Sequence, residues 1–282
     1  TEIYTLSLHD ALPIYGYGCY ETLKLREGFL YFAEFHEERL LKSLGILGIA
    51  HCLEPGAVVA GIRTLVDANR IAEANIKVLA VGRERGPADW YAFLTPPVAP
   101  PEGARQDGVS CLLFRGQRQF PQAKSLSLLL STVAYRKALS LGCYDALLIN
   151  GRGELTEGTR MNLFYAEAPA DGGAAGPRET PAPKLFTPPA RDVLEGITRR
   201  TIMAAMAAEG LAVEERPLRL EDALSGRYGI MVTSTSNKAL PVRSLAGPED
   251  GAAMDLPLPP AFKAVELIYE RFLETYRASE RY

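Results

Sequence analysis

Hydrophobic and polar positions change period several times along the chain, and the changes predict an irregular mixture of strands and helices. After the glycine-rich opening Gly16-Tyr17-Gly18, residues 19–25 alternate apolar and polar, the period of a half-buried strand. Residues 34–47 switch to helical spacing, with Leu40, Leu41, Leu44 and Leu47 on one stripe and Gly48 placed to stop it. A second helix is predicted over 57–74, strands over 76–81, 90–94 and 109–114, and a surface loop over 97–103. The polar, turn-prone stretch 115–121 reads as a domain boundary. Beyond it, 125–141 reads as a helix stopped by Gly142. Residues 144–149 and 154–156 read as a hairpin joined at Asn150-Gly151, because Asn-Gly favours the tight primed turns. Strands are predicted over 161–166, 211–215 and 229–233, a helix over 196–209 closed by Gly210, and a final amphipathic helix over 260–277. Residues 168–183, rich in Ala, Gly and Pro, read as an inserted flexible loop. There is no internal repeat, and the strict strand–helix alternation of a doubly wound sheet is missing. The pattern therefore predicts an α+β fold with two lobes.

Composition narrows the function classes. The 282 residues suffice for one large domain or two modest ones. With 31 Lys and Arg against 34 Asp and Glu the net charge is −3, so a basic nucleic-acid or anionic-membrane binder is not expected. No apolar run reaches the roughly 18 residues of a transmembrane helix, and residues 1–14 lack the basic start of a signal peptide. Cysteines at 19, 52, 111 and 143 form no CxxC and are too few for a disulfide scaffold, which points to reduced thiols and a cytoplasmic setting. The three histidines show no ligand spacing, so no metal site is expected.

Five features can carry chemistry. Lys124 precedes the apolar run Leu126, Leu128, Leu129, Leu130; an ammonium sheltered there loses solvation, which favours the free amine needed to condense with an aldehyde. Its bland alternative is a surface lysine at a helix start. Glu157, beside a glycine turn, is either a solvated carboxylate or the partner of a protonated ring nitrogen, a cation too costly to bury alone. Ile197 and Thr198 open a helix whose free N–H groups can hold an anion, as any helix start can. Ser234 and Thr235 lie in a cluster of small donors, Thr233 to Asn237, that reads equally as a hydroxyl-rich turn. Arg39 either offers a guanidinium fork to a phosphate or sits on a solvated helix face with intrahelical ion pairs. Together these supply an amine, an acid for a ring nitrogen and three phosphate contacts, which is what pyridoxal phosphate requires of a protein.

The stretches YGYGCYETLKL, FHEERLLKSLGIL, KSLSLL, DALLINGRGELTEGTRMNLF, LFTPP, LEGITR and TSTSNKALPV, in this order, resemble the class IV, fold-type IV, pyridoxal-phosphate enzymes. These include branched-chain aminotransferases, D-amino-acid aminotransferases and aminodeoxychorismate lyases. The resemblance implies a small N-terminal α/β domain over 15–114, a linker over 115–122, and a larger, β-barrel-like C-terminal domain with flanking helices over 123–282. It implies Lys124 as the Schiff-base lysine and Glu157 as the partner of the pyridine nitrogen. It implies Arg39, Ile197, Thr198, Ser234 and Thr235 as phosphate contacts, and Tyr15, Tyr20 and Lys24 as residues facing substrate in a homodimer with shared sites. Residues 1–14 do not resemble the family and look like a translated sequencing adapter.

Departures from the family pattern bear on the substrate. Leu129 stands where branched-chain enzymes place a tyrosine, Ser127 where an asparagine is common, and Lys238 where many members have an acid. The Arg-x-His carboxylate trap of D-amino-acid enzymes is not visible around Arg83 to Gly86. Arg160 can hold a substrate carboxylate if the glycine turn breaks the strand's period of two, which otherwise sends 157 and 160 to opposite faces. The expected reaction is transamination between a hydrophobic or branched-chain amino acid and a 2-oxo acid such as 2-oxoglutarate. D-amino-acid transamination, aminodeoxychorismate lyase activity and an inert pyridoxal-phosphate-binding dimer module are the alternatives.

Overall fold

The computed structural model describes residues 16–168, 184–247 and 252–279. The expectations for residues 1–14, for Tyr15 and for most of the 168–183 loop lie outside the described residues. Contacts divide the chain into two units, residues 1–98 with 120–129 and residues 99–119 with 130–282.

The first unit holds β1 (Gly18–Arg26), β2 (Phe29–Tyr31), α1 (Ala33–Ile46), α2 (Ala57–Asn69), β3 (Ala74–Val81) and β4 (Asp89–Thr95). Its antiparallel sheet has the order β2-β1-β3-β4. Strand alternation puts Cys19, Leu23 and Leu25 with Ile76, Val78 and Ala80 on one face, buried with Leu40 and Leu44 of α1 and Val58 and Ile62 of α2. Helix α2 ends at Asn69 rather than at 74, because Arg70 turns left-handed at φ 52° and β3 begins at Ala74. Strand β2, three residues long, is too short for its period to be read from sequence.

A second difference concerns the lysine segment. Residues 125–128 are not helical. Tyr20 N donates to Lys124 O at 2.9 Å, Leu126 N donates to Gly18 O at 2.8 Å, and Ser125 bridges Cys19. Strand β2 pairs only with Lys24, Leu25 and Arg26 of β1, so the same edge of β1 at residues 18–20 needs other partners for its backbone groups, and this segment supplies them.

The second unit contains α3 (Ala104–Asp107), β5 (Val109–Arg115), most of α4 (Leu129–Ser140), β6 (Asp145–Ile149), β7 (Glu154–Gly158), β8 (Asn162–Glu167) and β9 (Leu185–Thr187). It continues with α5 (Ile197–Ala208), β10 (Val213–Glu215), β11 (Leu218–Arg219), α6 (Leu220–Ala223), β12 (Tyr228–Ser234), β13 (Lys238–Ala246), β14 (Ala253–Asp255) and α7 (Ala261–Ser279). Neighbouring strands run β10-β9-β8-β12-β13-β5-β6-β7-β11, and an additional β7–β8 pairing closes β8, β12, β13, β5, β6 and β7 into a barrel-like ring. Inward-facing Leu147, Leu155, Leu163, Tyr165, Ile230, Val232, Leu240 and Val242 fill its core. Outside the ring, Ala134 and Ala138 of α4 pack on Leu112, Ala146 and Leu148.

This is the expected α+β fold, a small sheet unit and a larger barrel-like one with helices. The units are not contiguous in sequence, however. Strand β5 pairs with β6 and β13 and so joins the second unit, whereas the sequence reading put 109–114 in the first domain. The lysine segment belongs to the first unit, whereas it was expected to open the second.

Candidate active site

The residues singled out by sequence fall on both units, and each set is described on its own unit. In the first, Tyr20 and Lys24 lie on the half-exposed face of β1, alternating with buried Cys19, Glu21 and Leu23. Lys124 is half-buried, its carbonyl fixed by Tyr20 N and its own N–H donating to Ser43 Oγ at 3.0 Å. Its ammonium lies 4.4 Å from the centre of the Tyr20 ring and makes no hydrogen bond or ion pair among the described residues. Lys77, which faces Thr22 across β1 and β3, places its ammonium 5.9 Å from the same ring.

Arg39 is not on a solvated face. It is buried, and its Nε and one terminal nitrogen donate to the two oxygens of Glu21 at 2.8 and 2.7 Å. His36 Nδ1 lies 2.6 Å from Glu21 Oε2. Burial alone would raise the Glu21 carboxyl, but the Arg39 charge and the Arg39 and His36 hydrogen bonds outweigh it and hold the pKa at about 2. Burial, helped by the Arg39 and Lys124 charges, lowers His36 against the pull of Glu21. A neutral ring therefore donates from Nδ1, while buried Nε2 has no partner among the described residues. Sequence reasoning missed Glu21 and His36. The available signal was an acid on the apolar face of an alternating strand, matched by His and Arg three apart on the next helix.

In the second unit, Glu157 sits at the seam of the barrel, where it pairs with Asn162 across β7 and β8. It is buried, and it accepts from Leu194 N at 3.2 Å and from Arg118 at 3.4 Å. Arg118 lies in the stretch read from sequence as a linker, and no sequence signal set it apart there. Asn162 Nδ2 donates to Leu194 O at 2.8 Å, and a Cβ on Gly196 would overlap Asn162 Oδ1. The backbone thus crosses close to the acid before opening α5. The first helical bond of α5 runs from Arg200 N to Gly196 O, so the N–H groups of Ile197 and Thr198 precede it and have no acceptor among the described residues. The Thr198 hydroxyl likewise makes no hydrogen bond among them.

Ser234 and Thr235 lie at the turn between β12 and β13, where Ser234 Oγ accepts from Asn237 N at 3.3 Å. Buried Thr233 Oγ1 and Asn237 Oδ1 have no partner among the described residues. Arg160 leaves the strand, as a broken period allows, and turns to Asp145: its Nε is 3.2 Å from Asp145 Oδ2, and its guanidinium lies 4.3 Å from the Tyr135 ring centre. Burial raises the Asp145 carboxyl, opposed by Thr159 and Arg160.

Among the described residues no group of acids, histidines or cysteines could hold a metal ion. Taken unit by unit, the groups are of the kinds a phosphorylated pyridine aldehyde uses. Among the described residues, the first unit has an amine without a polar partner, and the second has a buried acid steadied by a backbone N–H, a helix start with unused N–H groups and a hydroxyl-bearing turn with unsatisfied buried oxygens.

Comparison with known proteins gives the family. Over 255 residues, 86% of this chain and 84% of the relative, the sequence is 28% identical to a D-alanine aminotransferase of Bacillus licheniformis. It is 29% identical over 257 residues, 86% of each chain, to a bifunctional aminodeoxychorismate lyase / D-amino acid transaminase of Mycobacterium tuberculosis. A hypothetical aminotransferase from Mycobacterium tuberculosis, solved in a PLP-bound form, superposes with a TM-score of 0.74 at 24% identity, covering 96% of this chain and 93% of that one, and so shares its fold. The sequence profile of amino-transferase class IV matches residues 18–245, most of the chain, and the protein belongs to that aminotransferase family.

Proposed function

We propose that this chain is a pyridoxal-phosphate-dependent transaminase, with Lys124 as the lysine that holds the cofactor. The observation that carries the proposal is the Lys124 ammonium, placed over Tyr20 by two backbone bonds and engaged by no acid or hydrogen-bond acceptor among the described residues. When bound, the cofactor supplies an electron-withdrawing ring that stabilises negative charge at the substrate Cα. Glu157, held in place by Leu194 N and Arg118, would keep the ring nitrogen protonated. Ile197, Thr198, Ser234 and Thr235 would hold the phosphate, with Arg39 contributing only through the nitrogen that Glu21 does not engage. Once released, the Lys124 amine would take the proton from the donor Cα and deliver it to the cofactor carbon that carried the aldehyde. Tyr20 and Lys24 would face the substrate.

The donor is read from two observations. Leu129 replaces the tyrosine of branched-chain enzymes, and both relatives described above carry D-alanine or D-amino-acid transaminase names. These favour a D-amino acid with a 2-oxo acid acceptor, while the missing Arg-x-His trap around Arg83 to Gly86 keeps the hydrophobic or branched-chain donor as the second reading. The Arg160 guanidinium, already paired with Asp145, would contribute to substrate binding only through its remaining nitrogens.

A panel of D- and L-amino acids, offered with and without 2-oxoglutarate, tests this. The visible absorbance is expected to shift with D-alanine and related donors, with about one equivalent of 2-oxo acid per site released without an acceptor and continued turnover only when an acceptor is present. Pyruvate released from aminodeoxychorismate without an acceptor would select the lyase instead. A coloured protein whose spectrum no amino acid shifts would leave an inert binder.

A further inference from the structure

Lys238 occupies a position that favours glycine. It follows the turn after β12 and pairs with Ser234, and its φ is +58°. Side chains other than glycine adopt that left-handed conformation at a cost. The side chain compensates by reaching α7, where its Nζ lies 2.6 Å from both oxygens of Glu270.

The contact is one of three that α7 makes from a single face. Glu266, Tyr269 and Glu270 are spaced i, i+3, i+4 and so project together. Glu266 pairs at 4.0 Å with Arg105, which donates to Asn237 O at 3.1 Å and so holds the same turn as Lys238. Tyr269 shares a hydrogen bond of 2.9 Å with Thr201 Oγ1, which in turn bonds to Ile197 O in the first turn of α5. One helix face therefore ties the Ser234–Lys238 turn to the start of α5.

We infer that α7 is a strut that sets the spacing of the two halves of the phosphate-binding site, and that Lys238 and Glu270 are positioning residues for the cofactor phosphate. The inference rests on the cofactor reading above. The pair is partly exposed, and isolated exposed ion pairs contribute little. This one is bidentate and acts with Arg105 on the same turn, and its effect is on the readiness of donors to receive an anion.

The test uses full-length apoprotein titrated with pyridoxal phosphate and, separately, with pyridoxal, which lacks the phosphate. Glu270→Gln and Lys238→Gly are each expected to weaken pyridoxal phosphate by about fivefold and to leave pyridoxal unchanged. Lys238→Gly should keep or raise the melting temperature, since glycine suits the backbone there. The exchange Lys238→Glu with Glu270→Lys should restore binding, and molar salt should shrink the difference between parent and single variants. Variants that bind pyridoxal phosphate as the parent does, or that lose pyridoxal equally, overturn the inference alone. A parent that binds neither compound overturns it together with the cofactor reading.

Discussion

Glu21 is a carboxylate with almost no solvent contact that is nonetheless ionised, because Arg39 grips both its oxygens and His36 donates to one of them. Its ordinary pKa of 4.5 falls to about 2 in the fold. The folded value is depressed, so the stabilisation is complete above the ordinary value and is lost as pH falls toward the folded one. Replacing one partner of a buried pair strands the other charge. Glu21→Gln is therefore expected to cost about 3–5 kcal/mol near neutrality, measured by urea unfolding. Between pH 4.5 and 2 the parent should lose more stability than the variant; parallel profiles would contradict the assignment. The same residue shows why parts of the site escaped the sequence. Lys124 and Glu157 stand in motifs with family likeness, whereas the worth of Glu21, His36 and Arg118 depends on partners that only folding brings near.

At the scale of elements, the alternation of β1 and the leucine stripe of α1 were legible because each buries one face against a contiguous core. The helix predicted over 125–141 begins late because apolar spacing cannot show that the edge of β1 at Gly18–Tyr20 takes up the backbone of Lys124 and Leu126. Strand β13 went unread because Lys238 and the turn before it break the pattern. Near Glu157, packing decides which substitutions the backbone tolerates. Gly196 has extended backbone that alanine can adopt, but an added methyl would overlap Asn162 Oδ1. Gly196→Ala is expected to cost about 1–3 kcal/mol, and less in an Asn162→Ala background, where the space is free. Denaturant midpoints of the four proteins measure the coupling. Equal costs in both backgrounds would show that Asn162 is not what excludes the methyl.

For the whole molecule, the α+β class was legible from the irregular mixture of periods, while the division of the chain was not. A boundary drawn on composition can only cut once, but the chain enters the second unit at 99, returns to the first for 120–129 and leaves it again. Long-range pairing causes this: β5 is held by β6 and β13, and the lysine segment by β1. The amine proposed to hold the cofactor thus sits on the smaller unit and the acid proposed for the ring nitrogen on the larger, each fixed by its own backbone bonds. The most direct test is to reduce protein reconstituted with pyridoxal phosphate using borohydride, digest it and locate the added mass. A single modified peptide carrying the adduct on Lys124, absent from Lys124→Ala, is the predicted result. An adduct on another lysine, or none, would contradict the account.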